Sequence, residues 1–355
     1  MLRDTRAYLQ ACLRAYWQGD PLPDLTGLED PVGLARLAVQ QGVGALLYRA
    51  LKAAGPLEVP GRILGVLRPY YLAAVAQAAL QVQEVQRLQQ AFARAGVPAL
   101  FYKGVVLGQL AYGDPALRPA TDIDVLVMPA AFKSAESVLL TLGYQRDVPH
   151  QGLVRRVYLC FQREHPYRLP DRMQMVDLHL SIAPWRFAPV QPVSLLWTDA
   201  MPVLMGSQTV WTLAPEALLP LLCLHCAKHQ WRTLKWINDV AALLRAFPEL
   251  DWERLWAWAR QWQGVRMLRL GLQLAHEGLG APLPSTVLRS IGRDRQVERL
   301  VRRVREGLYR PDVWRPFWQR FIFHLRSREH PLARWRYVLL SSVFYTMRPI
   351  LGLQH

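Results

Sequence analysis

The chain reads as an α+β protein, a small mixed sheet with helices on one face, set between two helical regions. Three observations predict this. Residues 1–96 repeat apolar side chains at helical spacing, residues 97–200 alternate short β-rich runs with helical ones, and residues 201–355 return to long helical patterns rich in Trp and Arg. Hydrophobic residues make up 52% of the 355, enough for a sizeable core and unlike the composition of a disordered chain.

In the first region, "GLARLAVQQGVGALLYRAL" and "YYLAAVAQAALQVQEVQRLQQAFARAG" carry the helical repeat; the second stops at Gly96, with Pro98 behind it. The pattern then changes. "PALFYKG" is a short strand ending at Gly104, "VVLGQLAYG" a short helix and "DPALRPAT" a loop. "DIDVLVM" is a strand, and "PAAFKSAESVLLTLG" a helix begun by Pro129 and stopped by Gly143. "RRVYLCFQ" and "RMQMVDLHL" read as two more strands, joined by a polar stretch holding Pro166 and Pro170. From about Thr212 the helical patterns resume, and residues 222–244 read as one regular helix.

The N-terminus is charged and interrupted, without the continuous apolar stretch of a secretory signal. Near the other end, "YVLLSSVFYTM" falls short of the roughly 20 residues a bilayer span needs. The expectation is a soluble, cytoplasmic protein. The four cysteines do not suggest a secreted disulfide framework. Cys223 and Cys226 form C-x-x-C with His225 and His229 beside them, but no second such pair completes a zinc site, and both thiols fall on an apolar helix side. They read as buried structural cysteines.

The net charge is +16, and 38 Arg stand against 5 Lys. Residues 289–348 alone hold 15 Arg and five acids, a field that attracts phosphates, nucleic acid or an anionic membrane. The C-terminal "WRPFWQRFIFHLRSREHPLARWRYVLL" interleaves aromatics with Arg. It suits single-stranded RNA or an anionic membrane surface, but an amphipathic helix pair packed on the domain with Arg outward is the reading preferred over either.

Against this basic background, "RPATDIDVLV" puts Asp122 and Asp124 one residue apart at the mouth of an apolar strand. Alternation places both on one face, about 7 Å apart, while Ile123 and Val125 point into the core. Two such carboxylates repel unless a cation sits between them, and Mg²⁺, a hard ion preferring oxygen, suits the position. A third carboxylate on a neighbouring strand would complete a two-metal site, and Asp177 in "MQMVDLHL" is the candidate, with His179 either its hydrogen-bonding partner, the reading preferred, or simply a polar strand residue. In "YKGVVL", Gly104 lets the backbone approach closely at a strand-to-helix turn whose free N–H groups suit a triphosphate, with Lys103 and Arg118 adding charge. On a regular helix His225, His229, Arg232, Trp236 and Asp239 would form one stripe, either a cleft wall for base stacking and phosphate contact or a solvated helix face with Trp236 lying flat.

The segments "KGVVLGQLAYGDPALRPATDIDVLV" and "VDLHL" resemble the nucleotidyltransferase superfamily that includes DNA polymerase β. More closely they resemble its bacterial family-5 type, whose helical segment with H-x-x-K-H, Trp and Asp is similar to "LHCAKHQWRTLKWINDVAAL". The resemblance spans roughly residues 20–350. It implies a small catalytic palm over 97–200, flanked by helical regions over 1–96 and 201–355. It also implies metal-held NTP, ATP in the first place, with Mg²⁺ or Mn²⁺ as cofactor. Asp122, Asp124 and Asp177 would hold the ions, and Lys103, Gly104 and Arg118 the phosphates. The reaction would move a nucleoside monophosphate to an acceptor such as a peptide, protein or biosynthetic intermediate, releasing pyrophosphate. Two departures stand out: Val105 replaces the superfamily's Ser after Gly104, and the loop from Gly104 to Asp122 is long. The alternative from another class is a non-catalytic binding protein that uses its basic C-terminal region to dock RNA, a membrane or a peptide-processing partner.

Overall fold

The computed structural model describes residues 4–55, 61–147, 152, 163–170, 174–189, 192–309 and 316–347. Five strands form one mixed sheet: β1 (Ala99–Phe101), β2 (Asp122–Val127), β3 (Gln145–Arg146), β4 (Glu164–Leu169) and β5 (Gln174–His179), in the order β1-β2-β5-β4-β3. β2 and β5 run parallel; the other pairings are antiparallel. Alternation sorts their side chains. Ile123, Val125, Val127, Val176, Leu178, Tyr167 and Leu169 enter one apolar core, so Asp122, Asp124, Asp177 and His179 fall on the opposite face.

Four helices precede the sheet: α1 (Thr5–Gln18), α2 (Pro31–Gln40), α3 (Gly44–Ala53) and α4 (Gly61–Arg94). Within it lie α5 (Gly104–Tyr112) and α6 (Phe132–Thr141). After it come α7 (Ser194–Trp197), a hairpin of β6 (Ala200–Met205) and β7 (Gln208–Leu213), then α8 (Pro215–Lys228) and α9 (Leu234–Ala246). The chain continues through α10 (Trp252–Gln261), α11 (Val265–Leu279), α12 (Ser285–Gly292), α13 (Arg295–Gly307), α14 (Phe317–Arg326) and α15 (Pro331–Met347). Val85, Leu88 and Phe92 of α4 and Ala135 and Leu139 of α6 cover the sheet's apolar face. Side chains of α1–α3 and of α8–α13 share a second core with Leu100, Tyr102 and Leu126. The two flanking helical regions, distant in sequence, are thus packed together on the face that carries the acids.

Three expectations change on contact with the structure. The regular helix over 222–244 is two helices. Gln230 and Trp231 adopt left-handed backbone, φ 58° and 53°, which costs L residues roughly 1–2 kcal/mol each. Full burial of the Trp231 indole opposes that cost, and Gly271 makes room for it, since a Cβ there would lie 2.7 Å from the indole ring. Pro166 lies inside β4 rather than in a connecting stretch. Its carbonyl accepts from the Asp147 N–H, so the missing N–H falls on the same side, where β3 pairs only two residues. The hairpin β6–β7 was not anticipated; Val203, Met205 and Val210 bury into the sheet's core across the boundary drawn at residue 200. The strand expected over 155–162 lies outside the described residues.

Among the described residues, α4 is long and apolar enough to cross a membrane, which by length and composition alone is weak evidence. Its inner face carries Gln81 and Glu84, tied to the Ala120 carbonyl and to Arg87 and Tyr144, as suits a helix built into a fold.

Candidate active site

The parallel register of β2 and β5 sets Asp124 directly opposite Asp177, with Asp122 opposite Met175. One oxygen or nitrogen each from Asp124, Asp177 and His179 lies within 4.8 Å of the others. A hard oxygen pair with an imidazole at that spacing fits a divalent ion. Glu164 of β4, opposite His179, adds a fourth acid at the rim.

Electrostatics separates these carboxylates. Burial would raise Asp124, but the Lys103 ammonium, 2.5 Å from its Oδ1, and His179 Nε2 at 2.9 Å hold it well below the ordinary carboxylate range. Among the described residues Asp177 has no such partner: His179, expected to bond it, bonds Asp124 instead, because its ring nitrogen reaches across to the neighbouring strand. Burial lifts Asp177, His179 opposes, and the charges of Asp124, Glu164 and Asp122 add to the rise, to about 7. Asp122 is raised by burial and by Asp124, with Lys103 opposing. Lys103 pairs with Asp124, Lys228 lies 3.9 Å from Glu164, and Lys235 and Arg118 also oppose the rise at Asp122, whereas at Asp177 the opposition comes from His179.

Lys103 precedes α5, which starts at Gly104 with φ 57°, a conformation that favours glycine; a Cβ there would also lie 3.1 Å from the Asp122 carbonyl. No side chain caps α5, and its first backbone bond runs from Leu107 N–H to Lys103. The amides of its first turn are thus left for an anion. Arg118 braces this turn. Its Nη1 donates to the Gly104 carbonyl at 3.2 Å, while Nε and Nη2 donate to Asp239 at 2.8 and 3.0 Å. Tyr112 donates to Asp239, Asn238 to Tyr112, and Trp17 of α1 to Asn238, so a continuous buried network runs from the N-terminal helix to Gly104. The loop that follows Arg118 is pinned by Gln81 on the Ala120 carbonyl and Lys235 on the Pro119 carbonyl. Its length is therefore not slack.

Two cavities meet at the acids and share Lys103, Asp122, Asp124 and His225. One, on the Gly104 side, is walled by Tyr70, Arg118, Lys235 and Trp236; the other, on the Asp177 side, by Glu164, His179, Ser181, Lys228 and His229. The fold thus brings Lys103, Gly104, Arg118, Asp122, Asp124, Asp177, His179, His225, His229 and Trp236 to one cleft, though on two sides of it. His225, His229 and Trp236 meet as rings, with centroids 4.8–6.2 Å apart, because the left-handed turn folds α9 back beside α8. Burial keeps both imidazoles neutral, with nearby lysines adding to the effect; His229 falls to about 3. Arg232 is exposed and lines neither cavity, and Asp239 sits behind Arg118, 1% exposed. Cys223 and Cys226 are buried thiols.

Lining residues that escaped the sequence reading include Glu164 and Tyr70. Glu164 was hidden because Pro166 made its segment look like a loop. Tyr70 reaches in from α4, where the preceding Pro69 within the helix was the available signal.

No curated protein matches the chain. Similar solved structures include the antibiotic-resistance factor ANT(2'')-Ia in solution, 14% identical, covering 56% of this chain and 98% of that one at a TM-score of 0.37. The crystal structure of ANT(2")-Ia with adenylyl-2"-tobramycin is 15% identical, covering 51% and 95% at 0.35. An antigenic nucleotidyltransferase-like protein from Paracoccidioides brasiliensis is 18% identical, covering 59% and 96% at 0.38. The family described as uncharacterised nucleotidyltransferase matches residues 28–280, and the chain belongs to it.

Proposed function

We propose that the protein is a divalent-metal-dependent nucleotidyltransferase that moves a nucleoside monophosphate from an NTP, ATP in the first place, to an acceptor, with release of pyrophosphate. One observation carries the reading: Asp124 faces Asp177 across parallel strands, at the partition between two cavities. Asp122, Asp124 and Asp177, with His179 beside them, would hold Mg²⁺ or Mn²⁺. When bound, the metal lowers the cost of the negative charge that gathers on the transferring phosphoryl group.

The first-turn amides of α5 would bind the outer phosphates, and Arg118 keeps that turn in place through the Gly104 carbonyl. Tyr70 and Trp236 offer ring faces for a base in the same cavity. Asp177 stands on the opposite side, where an acceptor would enter, and is placed to take the proton from the attacking group. A peptide, protein or biosynthetic intermediate is the acceptor class we favour, in a cytoplasmic setting, with the palm over 97–200 as the catalytic unit.

The second reading, a non-catalytic relic, rests on Lys103. Its ammonium already neutralises Asp124, where an ion would otherwise bind. The two readings part on incubation with α-labelled ATP, Mg²⁺ or Mn²⁺ and candidate acceptors. Transfer that disappears in Asp122→Asn/Asp124→Asn supports the enzyme; label that persists in that double variant sinks this site. Calorimetry showing no metal-dependent ATP binding supports the relic.

A further inference from the structure

The segment after residue 280 lies beyond the family match and carries a surface that the proposed reaction does not use. α15 is apolar on two sides. Ala333, Tyr337, Ser341 and Phe344 face inward and are buried. Leu332, Trp335, Leu339 and Val343, spaced three, four and four residues apart, form a stripe on the outer side, exposed by 66%, 72%, 64% and 37%. Phe317 and Trp318 of α14 are exposed as well, and the Phe317 ring meets that of Tyr345 on α15 at 4.7 Å, which joins the two helices into one patch. A groove lined by Leu325, Arg326, Pro331, Arg334, Trp335 and Val338 runs beside the stripe.

A contiguous apolar patch of this kind, on a helix that has already filled its core-facing side, is an interaction surface. Charge identifies the occupant. Residues 289–348 hold 15 Arg and five acids; of the arginines, Arg328 is buried and those at 310, 315 and 348 lie outside the described residues. Asp294 is spent on Arg266, at 2.7 Å, and Glu329 on the amides of Val265 and Arg266. Arg326 and Arg334, both exposed, flank Trp335. Three of the four stripe residues are aliphatic. They cannot stack on bases as a single-stranded RNA platform requires, but they do enter the acyl boundary of a bilayer. α15 has 17 residues, about 25 Å of helix, and so would lie along a membrane instead of crossing it.

We propose that the outer face of α14 and α15 docks the protein on an anionic phospholipid bilayer, with the aliphatic and Trp side chains inserted and the arginines against the headgroups. The groove beside this surface shares no lining residue with the two cavities at the acids, and the inference does not depend on the proposed reaction.

The test is sedimentation of the full-length protein with extruded vesicles of phosphatidylcholine alone, or with about one third phosphatidylglycerol. Association with the anionic vesicles that weakens as salt rises is the expected result. Trp335→Glu/Leu339→Glu is expected to weaken it at least about tenfold, while Trp335→Phe retains most of it. Both sites are exposed, so an unchanged thermal melt shows that the variant remains folded. No association with anionic vesicles, or equal association by the folded double variant, overturns the proposal. So does vesicle indifference coupled with binding of a labelled single-stranded RNA that the double substitution abolishes, which would assign the patch to nucleic acid.

Discussion

Replacing Asp177 by Asn is expected to stabilise the protein in the absence of divalent metal and to remove its stabilisation by metal. Burial and the neighbouring acids lift this carboxyl from an ordinary 3.8 to about 7. At about 1.4 kcal/mol per tenfold change, ionising it in the fold costs about 4 kcal/mol, or about 2 once the water in an open cleft is counted. The sign follows from proton binding. Between 3.8 and about 7 the folded state keeps a proton that the unfolded chain has lost. The group's contribution is therefore fully present below the lower value, falls as pH rises, and levels off above the upper one. Asn never ionises, so its advantage is expected to reach about 2 kcal/mol near pH 8 and to be largely gone near pH 4, the larger gap being about 3 °C in melting temperature. With Mn²⁺ at about a hundredfold excess over its dissociation constant, the wild type gains about 2.7 kcal/mol and the variant loses that gain, reversing their order. Thermal melts at the two pH values, with chelator or Mn²⁺, read all of this. A variant less stable than the wild type in chelator at the higher pH, or one that Mn²⁺ stabilises equally, would refute the reasoning.

Two further outcomes follow from the cations of the cleft. Arg118→Ala leaves the Asp239 carboxylate, 1% exposed, without its bidentate partner, and is expected to cost about 3–5 kcal/mol in urea unfolding. The apolar pair Arg118→Met/Asp239→Leu is expected to recover most of that stability without restoring nucleotide binding, because the hold on the Gly104 carbonyl is gone. Lys103→Met frees Asp124 from its ammonium and is expected to tighten Mn²⁺ binding about tenfold in a paramagnetic-resonance titration. Weakened Mn²⁺ binding would mean that lysine and metal do not compete for Asp124.

The strand carrying Asp122 and Asp124 was legible because two-residue periodicity is strict: once Ile123 and Val125 seek the core, the carboxylates can only face away. Asp177 was legible for the same reason on its own strand. The direct opposition of Asp124 and Asp177 was not, because parallel register is set by long-range pairing of β2 with β5 and leaves no local trace. The 222–244 segment failed for a different reason. Its helical pattern continues through Gln230 and Trp231, and only the burial of one large indole, beside a glycine some forty residues later in the chain, makes the left-handed turn worthwhile. Periodicity cannot see a contact of that kind. The same limit applies to Arg118, whose charge suggested a phosphate while its geometry commits it to Asp239 and Gly104.

That commitment gives the flanking helices a purpose that composition alone did not suggest. On the proposed function an uncapped helix start that receives an anion cannot use its own side chains to stay in place, since a cap would occupy the same amides. The restraint has to come from behind, and here it does: Arg118 grips the Gly104 carbonyl, Asp239 grips Arg118, and Tyr112, Asn238 and Trp17 carry the chain of bonds into α1. The carbonyl side of the turn is fixed while its amide side stays open. If this turn binds phosphate as proposed, the shared core of the N- and C-terminal helices is the frame that keeps it ready, and the turn's readiness is a long-range property of the whole fold.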